Sequence, residues 1–311
     1  MSTHVTTSPV RRAVLVLVAV LTLLAGVLAA AAPASAHPGH RPGHRHGHGH
    51  GHHHPVRHTY LALGDSVPFG YRPAAVTPPT DYLDASNFVG YPEVVARRLH
   101  LRVANATCPG ETTASFLTAG ALSNGCENSP TSPFGYRTAY PLHVAYTGTQ
   151  LSYARHYLRT HPRTRLVTLT IGANDLFICQ STTADHCTGS DLTDTVATVE
   201  QNADKILSAV RATGYRHRIV VVDYYSVDYA DPVQTGGSQL LDAALTRAAA
   251  RHRAVVADGF GAFQRAAAAS GGDSCAAGLV IALPTGGCDV HPTEAGRALL
   301  ARAVLAAVHR S

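Results

Sequence analysis

Four short segments carry residues that could act together on an acyl group. Ser66 lies in Gly64-Asp65-Ser66-Val67-Pro68-Phe69-Gly70, and a serine hydroxyl becomes a nucleophile when a base takes its proton. His291 lies in Cys288-Asp289-Val290-His291-Pro292-Thr293-Glu294-Ala295-Gly296, and a neutral imidazole is the usual such base. Gly110, in Cys108-Pro109-Gly110-Glu111-Thr112-Thr113, can present a bare backbone N–H to an oxyanion; Asn174, in Gly172-Ala173-Asn174-Asp175, can add a side-chain amide. Each segment taken singly has a plainer reading. Asp65 and Ser66 could end a strand or cap a helix, Gly110 could be a turn glycine, Asn174 and Asp175 could be turn chemistry, and His291 could be a surface histidine.

The elements around these segments decide between the readings. Short β-rich runs at 58–63, 101–106, 165–171, 218–224 and 254–257 alternate with helical patterns at 91–99, 149–161, 194–213, 238–251 and 293–309. The clearest helix has Val196, Val199, Ala203, Ile206, Leu207 and Val210 at 3.6-residue spacing. Strict β/α alternation predicts an α/β fold, a parallel sheet with helices on both faces. Ligands in such sheets bind beyond the carboxyl ends of the strands. Ser66, Gly110 and Asn174 each follow a predicted strand, and His291 stands in a loop entering the last helix, started by Pro292 or Thr293. A nucleophile, two donors and a base gathered at one sheet edge are the parts of an acyl-transfer site.

These blocks, in this order, resemble those of the SGNH (GDSL-type) hydrolases: GDSxxxG at Ser66, GxND at Asn174 and xHPTxAG at His291, with Gly110 as the second block. The resemblance runs from about Tyr60 to the end of the chain. It implies a three-layer α/β/α sandwich on a five-stranded parallel sheet of flavodoxin-like order, and ester hydrolysis through a Ser-His acyl-enzyme. Ser66 would be the nucleophile and His291 the base, with an oxyanion hole of Ser66, Gly110 and Asn174. The Cys-Pro-Gly-Glu-Thr-Thr block and the cysteine pattern look most like secreted bacterial esterases, lipases and phospholipases of the family. Many members place an acid three residues before the histidine, where this chain has Cys288, while Asp289 stands two before. Some relatives use the shorter spacing and others a backbone carbonyl, so Asp289 is one of two candidates for the third catalytic role. Asp65 and Asp175 are assigned structural hydrogen bonds within their turns.

Arg11 and Arg12, an apolar run over 13–32 and Ala34-Ser35-Ala36 form the basic, apolar, small-x-small order of a secretory signal peptide over 1–36, cleaved after Ala36. The rival reading is an uncleaved anchor, because the run approaches the ~20 residues that span a bilayer. Residues 37–58, dense in His, Gly and Pro, read as a disordered tether with adventitious Zn, Cu or Ni affinity, leaving 59–311 as the hydrolase domain. No cofactor and no catalytic metal are implied. All six cysteines follow the cleavage site, and in an oxidising compartment they fall into three close sequential pairs: Cys108 with Cys126, Cys179 with Cys187, and Cys275 with Cys288.

The net charge of +5 comes almost wholly from arginine, Lys205 being the only lysine, and the arginines are scattered rather than striped. Nucleic acid is therefore excluded as a partner. The expected partner is a small-molecule or lipid ester, met by a monomer outside the cell. Segment 112–146 is long and carries Phe116, Leu117, Phe134, Tyr136, Tyr140 and Tyr146, either as an acyl-binding wall or as a loop over its own small core. Fatty-acyl esters, acetyl esters of polysaccharides, and a metal- or surface-binding exported protein working through the tether are the three functional readings.

Overall fold

The computed structural model describes residues 58–310, which make an α/β domain. The segments read as a signal peptide (1–36) and, but for His58, as a tether (37–58) lie outside the described residues. Five parallel strands, β1 (Thr59–Gly64), β2 (Arg102–Asn105), β3 (Thr164–Thr170), β4 (Arg218–Val222) and β5 (Val255–Ala257), are ordered β2-β1-β3-β4-β5. In register, Leu61 of β1 pairs with Ala104 on one side and Val167 on the other. Tyr60, Leu61, Ala62, Leu63, Val220 and Val221 are buried, as expected of strands covered on both faces.

One face carries α2 (Tyr91–Leu99), α9 (Gly259–Ala267) and α10 (Glu294–His309), which pack on one another; the other carries α5 (Gln150–Thr160), α7 (Gly189–Ala212) and α8 (Pro232–Arg251). This is the three-layer sandwich of flavodoxin-like order expected from the sequence. The remaining helices, α1 (Ser66–Phe69), α3 (Thr113–Leu117), α4 (Tyr136–Ala139) and α6 (Ala173–Thr182), follow the carboxyl ends of strands or lie in the long 112–146 segment.

Several boundaries differ from the sequence reading. The segment after Gly172 is no turn: the chain runs directly into α6, with Asn174 in its first turn. Helix α8 starts six residues before the expected position, at Pro232, capped by Asp231, whose carboxylate accepts from Val233 N–H at 2.8 Å. Gly236 and Gly237 break the apolar pattern there without breaking the helix. His291 is not in a loop; it lies on β7 (Cys288–Pro292), paired antiparallel with β6 (Val280–Ala282). Thr293 is the N-cap of α10, its hydroxyl accepting from Gly296 N–H at 3.3 Å.

Segment 112–146 divides its side chains, with Phe116 in the main core and Leu117 and Tyr146 packed against it. Tyr136 packs with Phe69 and Phe88 in a small aromatic cluster, and Phe134 is left exposed. Cys108–Cys126, Cys179–Cys187 and Cys275–Cys288 are the three disulfides, with Cα–Cα distances of 5.6, 5.2 and 5.9 Å. Among the described residues no helix is long and apolar enough to cross a membrane.

Candidate active site

Strand β1 ends at Gly64, whose φ of +128° and close approach to β3 exclude a side chain: a Cβ there would lie 1.9 Å from Thr170 O. The chain then turns into α1, which is capped by Asp65 through Val67 N–H at 3.0 Å. Ser66 is the first residue of α1, at the carboxyl edge of the sheet. Asp65 is buried beneath it and also accepts a hydrogen bond from Tyr224 Oη. Burial pushes the Asp65 carboxyl up to about 6, against the pull of the bonds from Tyr224 and Val67.

The β6–β7 hairpin brings His291 across 225 positions, so that its Nε2 lies 2.8 Å from Ser66 Oγ. Asp289 Oδ1 contacts His291 Nδ1 and accepts from His291 N–H at 2.9 Å. Burial alone would raise the Asp289 carboxyl; the bonds from His291 hold it below the usual range. Tyr225 Oη donates to Val290 O at 2.6 Å, and the Tyr71 ring lies 4.8 Å from the imidazole. The Cys275–Cys288 bridge anchors the start of β7, directly before Asp289.

Gly110 has φ +81°, and a Cβ there would meet Asn124 O at 2.3 Å, so both its conformation and its close approach to the Asn124 backbone require glycine. Among the described residues no acceptor takes the N–H of Ser66 or of Gly110. The Asn174 amide is fixed at both ends: Nδ2 donates to Glu111 O at 3.0 Å, and Oδ1 accepts from Asn124 Nδ2 at 2.9 Å. That leaves the second Nδ2–H for the cleft. Asp175 faces away, accepting from Thr113 Oγ1 at 2.6 Å and Thr113 N–H at 3.0 Å, and burial pushes its carboxyl up to about 6.

Two depressions meet at Ser66. An apolar cavity of about 190 Å³ runs between α6 and α8, walled by Ala173, Leu176, Phe177, Val233, Gly237 and Leu241. A second, of about 280 Å³, is lined by Tyr71, Tyr136, Gly110, Asn124 and His291. Cys108, Glu111 and Cys126 also come together, but the two sulfurs are bonded to each other and offer no thiolate to a metal.

Residues 62–299 match the model of the GDSL-like Lipase/Acylhydrolase family. The chain belongs to that family. This GDSL hydrolase is thus a carboxylic ester hydrolase. Among curated proteins none matches it. Phospholipase A1 from Streptomyces albidoflavus NA297 superposes with a TM-score of 0.52 at 21% identity, over 81% of this chain and 100% of that one. LAE5, an alpha/beta hydrolase enzyme from the metagenome of Lake Arreo, Spain, gives 0.50 at 16%, over 82% and 97%. A catalytic mutant of Axe2, an acetylxylan esterase from Geobacillus stearothermophilus, gives 0.50 at 16%, over 82% and 95%. At these identities the likeness is one of fold.

The structure of this family member brings Ser66, Gly110, Asn174, His291 and Asp289 to one sheet edge. Sequence reading missed Tyr224, Asn124 and the cavity wall from α8. It also missed Glu111 and Gln150, although Glu111 stood next to Gly110 in a block already singled out. Gln150 gave no signal, because a glutamine opening an amphipathic helix reads as a surface residue.

Proposed function

We propose that this protein is an exported serine esterase acting on fatty-acyl esters, with Ser66 as nucleophile, His291 as general base and Asp289 as the residue that orients it. The observation that carries the reading is the line from Asp289 through His291 to Ser66 Oγ, with 2.8 Å at its reacting end. His291 Nε2 takes the Ser66 proton as Oγ attacks the ester carbonyl. The tetrahedral oxyanion accepts from Ser66 N–H, Gly110 N–H and Asn174 Nδ2. Collapse expels the alcohol, protonated by His291, and water then releases the acyl group by the reverse sequence. Asp289 stabilises the imidazolium formed at each step.

The substrate follows from the two depressions. His291 must reach the leaving oxygen, so the alcohol occupies the cleft that His291 lines, and the acyl chain takes the cavity between α6 and α8. Its Leu176, Phe177, Val233 and Leu241 walls favour an acyl chain well beyond acetyl, in keeping with the phospholipase named among the structural neighbours rather than the acetylxylan esterase. Export rests on the signal-peptide order over 1–36, and three disulfides are in keeping with it.

A fluorophosphonate probe followed by peptide mapping tests the assignment. The label is expected on Ser66. Ser66→Ala is expected to remove both label and p-nitrophenyl butyrate hydrolysis, by on the order of 10⁴-fold or more, with the circular dichroism unchanged. A label on any other residue would end this reading.

A further inference from the structure

Gln150 opens helix α5, a place where polar residues usually meet water, yet it is completely buried. Its Oε1 accepts from Gly64 N–H at 2.5 Å, and its Nε2 donates to Gly64 O at 2.9 Å and to Glu111 Oε2 at 2.9 Å. Both amide hydrogens are thereby used, and the peptide groups on either side of Gly64 are clamped by one side chain. Gly64 lies two residues before Ser66.

Glu111 continues the connection. Its Oε1 accepts from Ser115 Oγ at 2.5 Å, its backbone O accepts from Asn174 Nδ2 at 3.0 Å, and it directly follows Gly110. A single buried path therefore runs from the Ser66 turn through Gly64, Gln150 and Glu111 to Gly110 and Asn174. It joins three loops that follow β1, β2 and β3, and among the described residues Gln150 is the one side chain bonded to Gly64, beside the backbone bond from Cys108 N–H to Gly64 O at 3.1 Å.

We propose that Gln150, acting through Glu111, is a positioning residue that holds the three oxyanion donors in a fixed mutual geometry. The proposal rests on the assignment of Ser66, Gly110 and Asn174 to the oxyanion hole. Such a hole accelerates the reaction because its donors need no rearrangement when charge develops. The ground-state ester oxygen makes little use of it, so loosening the donors raises the barrier and leaves substrate binding nearly unchanged. Removing the Gln150 amide frees the Gly64 peptide from α5 and takes from the buried Glu111 carboxylate one of its two side-chain donors. The Ser66 turn is then tied to the segments carrying Gly110 and Asn174 by backbone bonds alone, Cys108 N–H to Gly64 O at 3.1 Å and Asp65 N–H to Thr170 O at 3.2 Å.

The test compares Gln150→Leu, Glu111→Gln and Thr168→Val in p-nitrophenyl butyrate hydrolysis and in inhibition by an alkyl trifluoromethyl ketone, whose hemiketal oxygen occupies the hole. Gln150→Leu keeps the volume, and Glu111→Gln removes the charge and one of the two acceptor oxygens that Gln150 and Ser115 share. Thr168→Val is the control, removing an equally buried bond, Tyr60 to Thr168 at 2.7 Å, within the same sheet. Both network variants are expected to lose about 10- to 100-fold in kcat, with KM within threefold and ketone affinity falling in parallel. Thr168→Val is expected to lower Tm while leaving kcat and ketone affinity in place. If Glu111→Gln, or a folded Gln150→Leu, keeps kcat and ketone affinity within twofold of wild type, the positioning role is wrong. Should the wild-type probe label miss Ser66, the site assignment itself fails; a label on Ser66 with unaffected variants overturns only the role of Gln150.

Discussion

Asp289 Oδ1 engages His291 twice, at the ring Nδ1 and at the backbone N–H, the latter at 2.9 Å. One carboxylate oxygen therefore fixes both the tautomer and the tilt of the imidazole, and the two-residue spacing suffices because β7 is extended. Asp289→Asn keeps an acceptor in place but removes the charge that balances the imidazolium. A fall in kcat on the order of 10³-fold, with KM little changed, is expected in p-nitrophenyl butyrate hydrolysis. A loss of only a few-fold would transfer the orienting role to a backbone carbonyl.

The cavity between α6 and α8, proposed above for the acyl chain, offers a substitution that adds bulk without disturbing the fold. Gly237 lines it from the second turn of α8, and a Cβ placed there meets nothing within 4 Å. Replacing a helical glycine with leucine favours the helix by about 0.5–1 kcal/mol. Gly237→Leu is accordingly expected to raise Tm while cutting the octanoate-to-butyrate ratio of kcat/KM by about tenfold, since the new side chain fills the space of the distal methylenes. An unchanged chain-length profile would move the acyl group out of this cavity.

Asp65 makes stability fall as pH rises across mildly acidic solution. Its carboxyl goes from an ordinary value of 3.8 to about 6 in the folded protein because burial disfavours the charge. Between those values the folded state holds a proton that the unfolded state has released. Its favourable contribution is full below about 4 and is lost as pH climbs through 6, about 3 kcal/mol in all. Asp65→Asn keeps Oδ1 for the helix cap, turns a donating Nδ2 on Tyr224 Oη, and does not titrate. In urea unfolding at pH 4.5 and 7.5, the variant is expected to lose less stability over that interval than wild type. The slope that remains is set in part by Asp175, whose carboxyl burial also pushes up to about 6.

The Cys275–Cys288 bridge closes a short loop immediately before Asp289 and His291. Cys275→Ser with Cys288→Ser is expected to cost about 2–4 kcal/mol in chemical denaturation. Activity at 25 °C should fall further than the folded fraction does, because β7 loses the covalent anchor next to Asp289. Equal losses in both would mean that the bridge stabilises the domain without positioning the site.

What the sequence by itself determined was local chemistry and periodicity. Ser66 after β1, Gly110 after β2 and Asn174 after β3 were legible because each strand is a short apolar run with its functional residue just beyond its end. Parallel-sheet geometry sends all such ends to one edge. The helices at 91–99 and 293–309 were legible from their spacing and caps. Tertiary structure alone decided the rest. Asn174 lies in a helix, where its amide can be held by Glu111 and Asn124; the same four residues read as a turn, because Gly-Ala-Asn-Asp has weak helical propensity and packing against α7 overrides it. His291 lies on a hairpin strand held by Cys275–Cys288 and by Tyr225. Gln150 meets Gly64 across 86 positions, and nothing near it in the chain marks it as buried. Ser66 meets His291 across 225. Propensity and capping act over a few residues, whereas the hydrogen bonds that orient Ser66, Asn174 and His291 come from side chains that only the packed layers bring within reach.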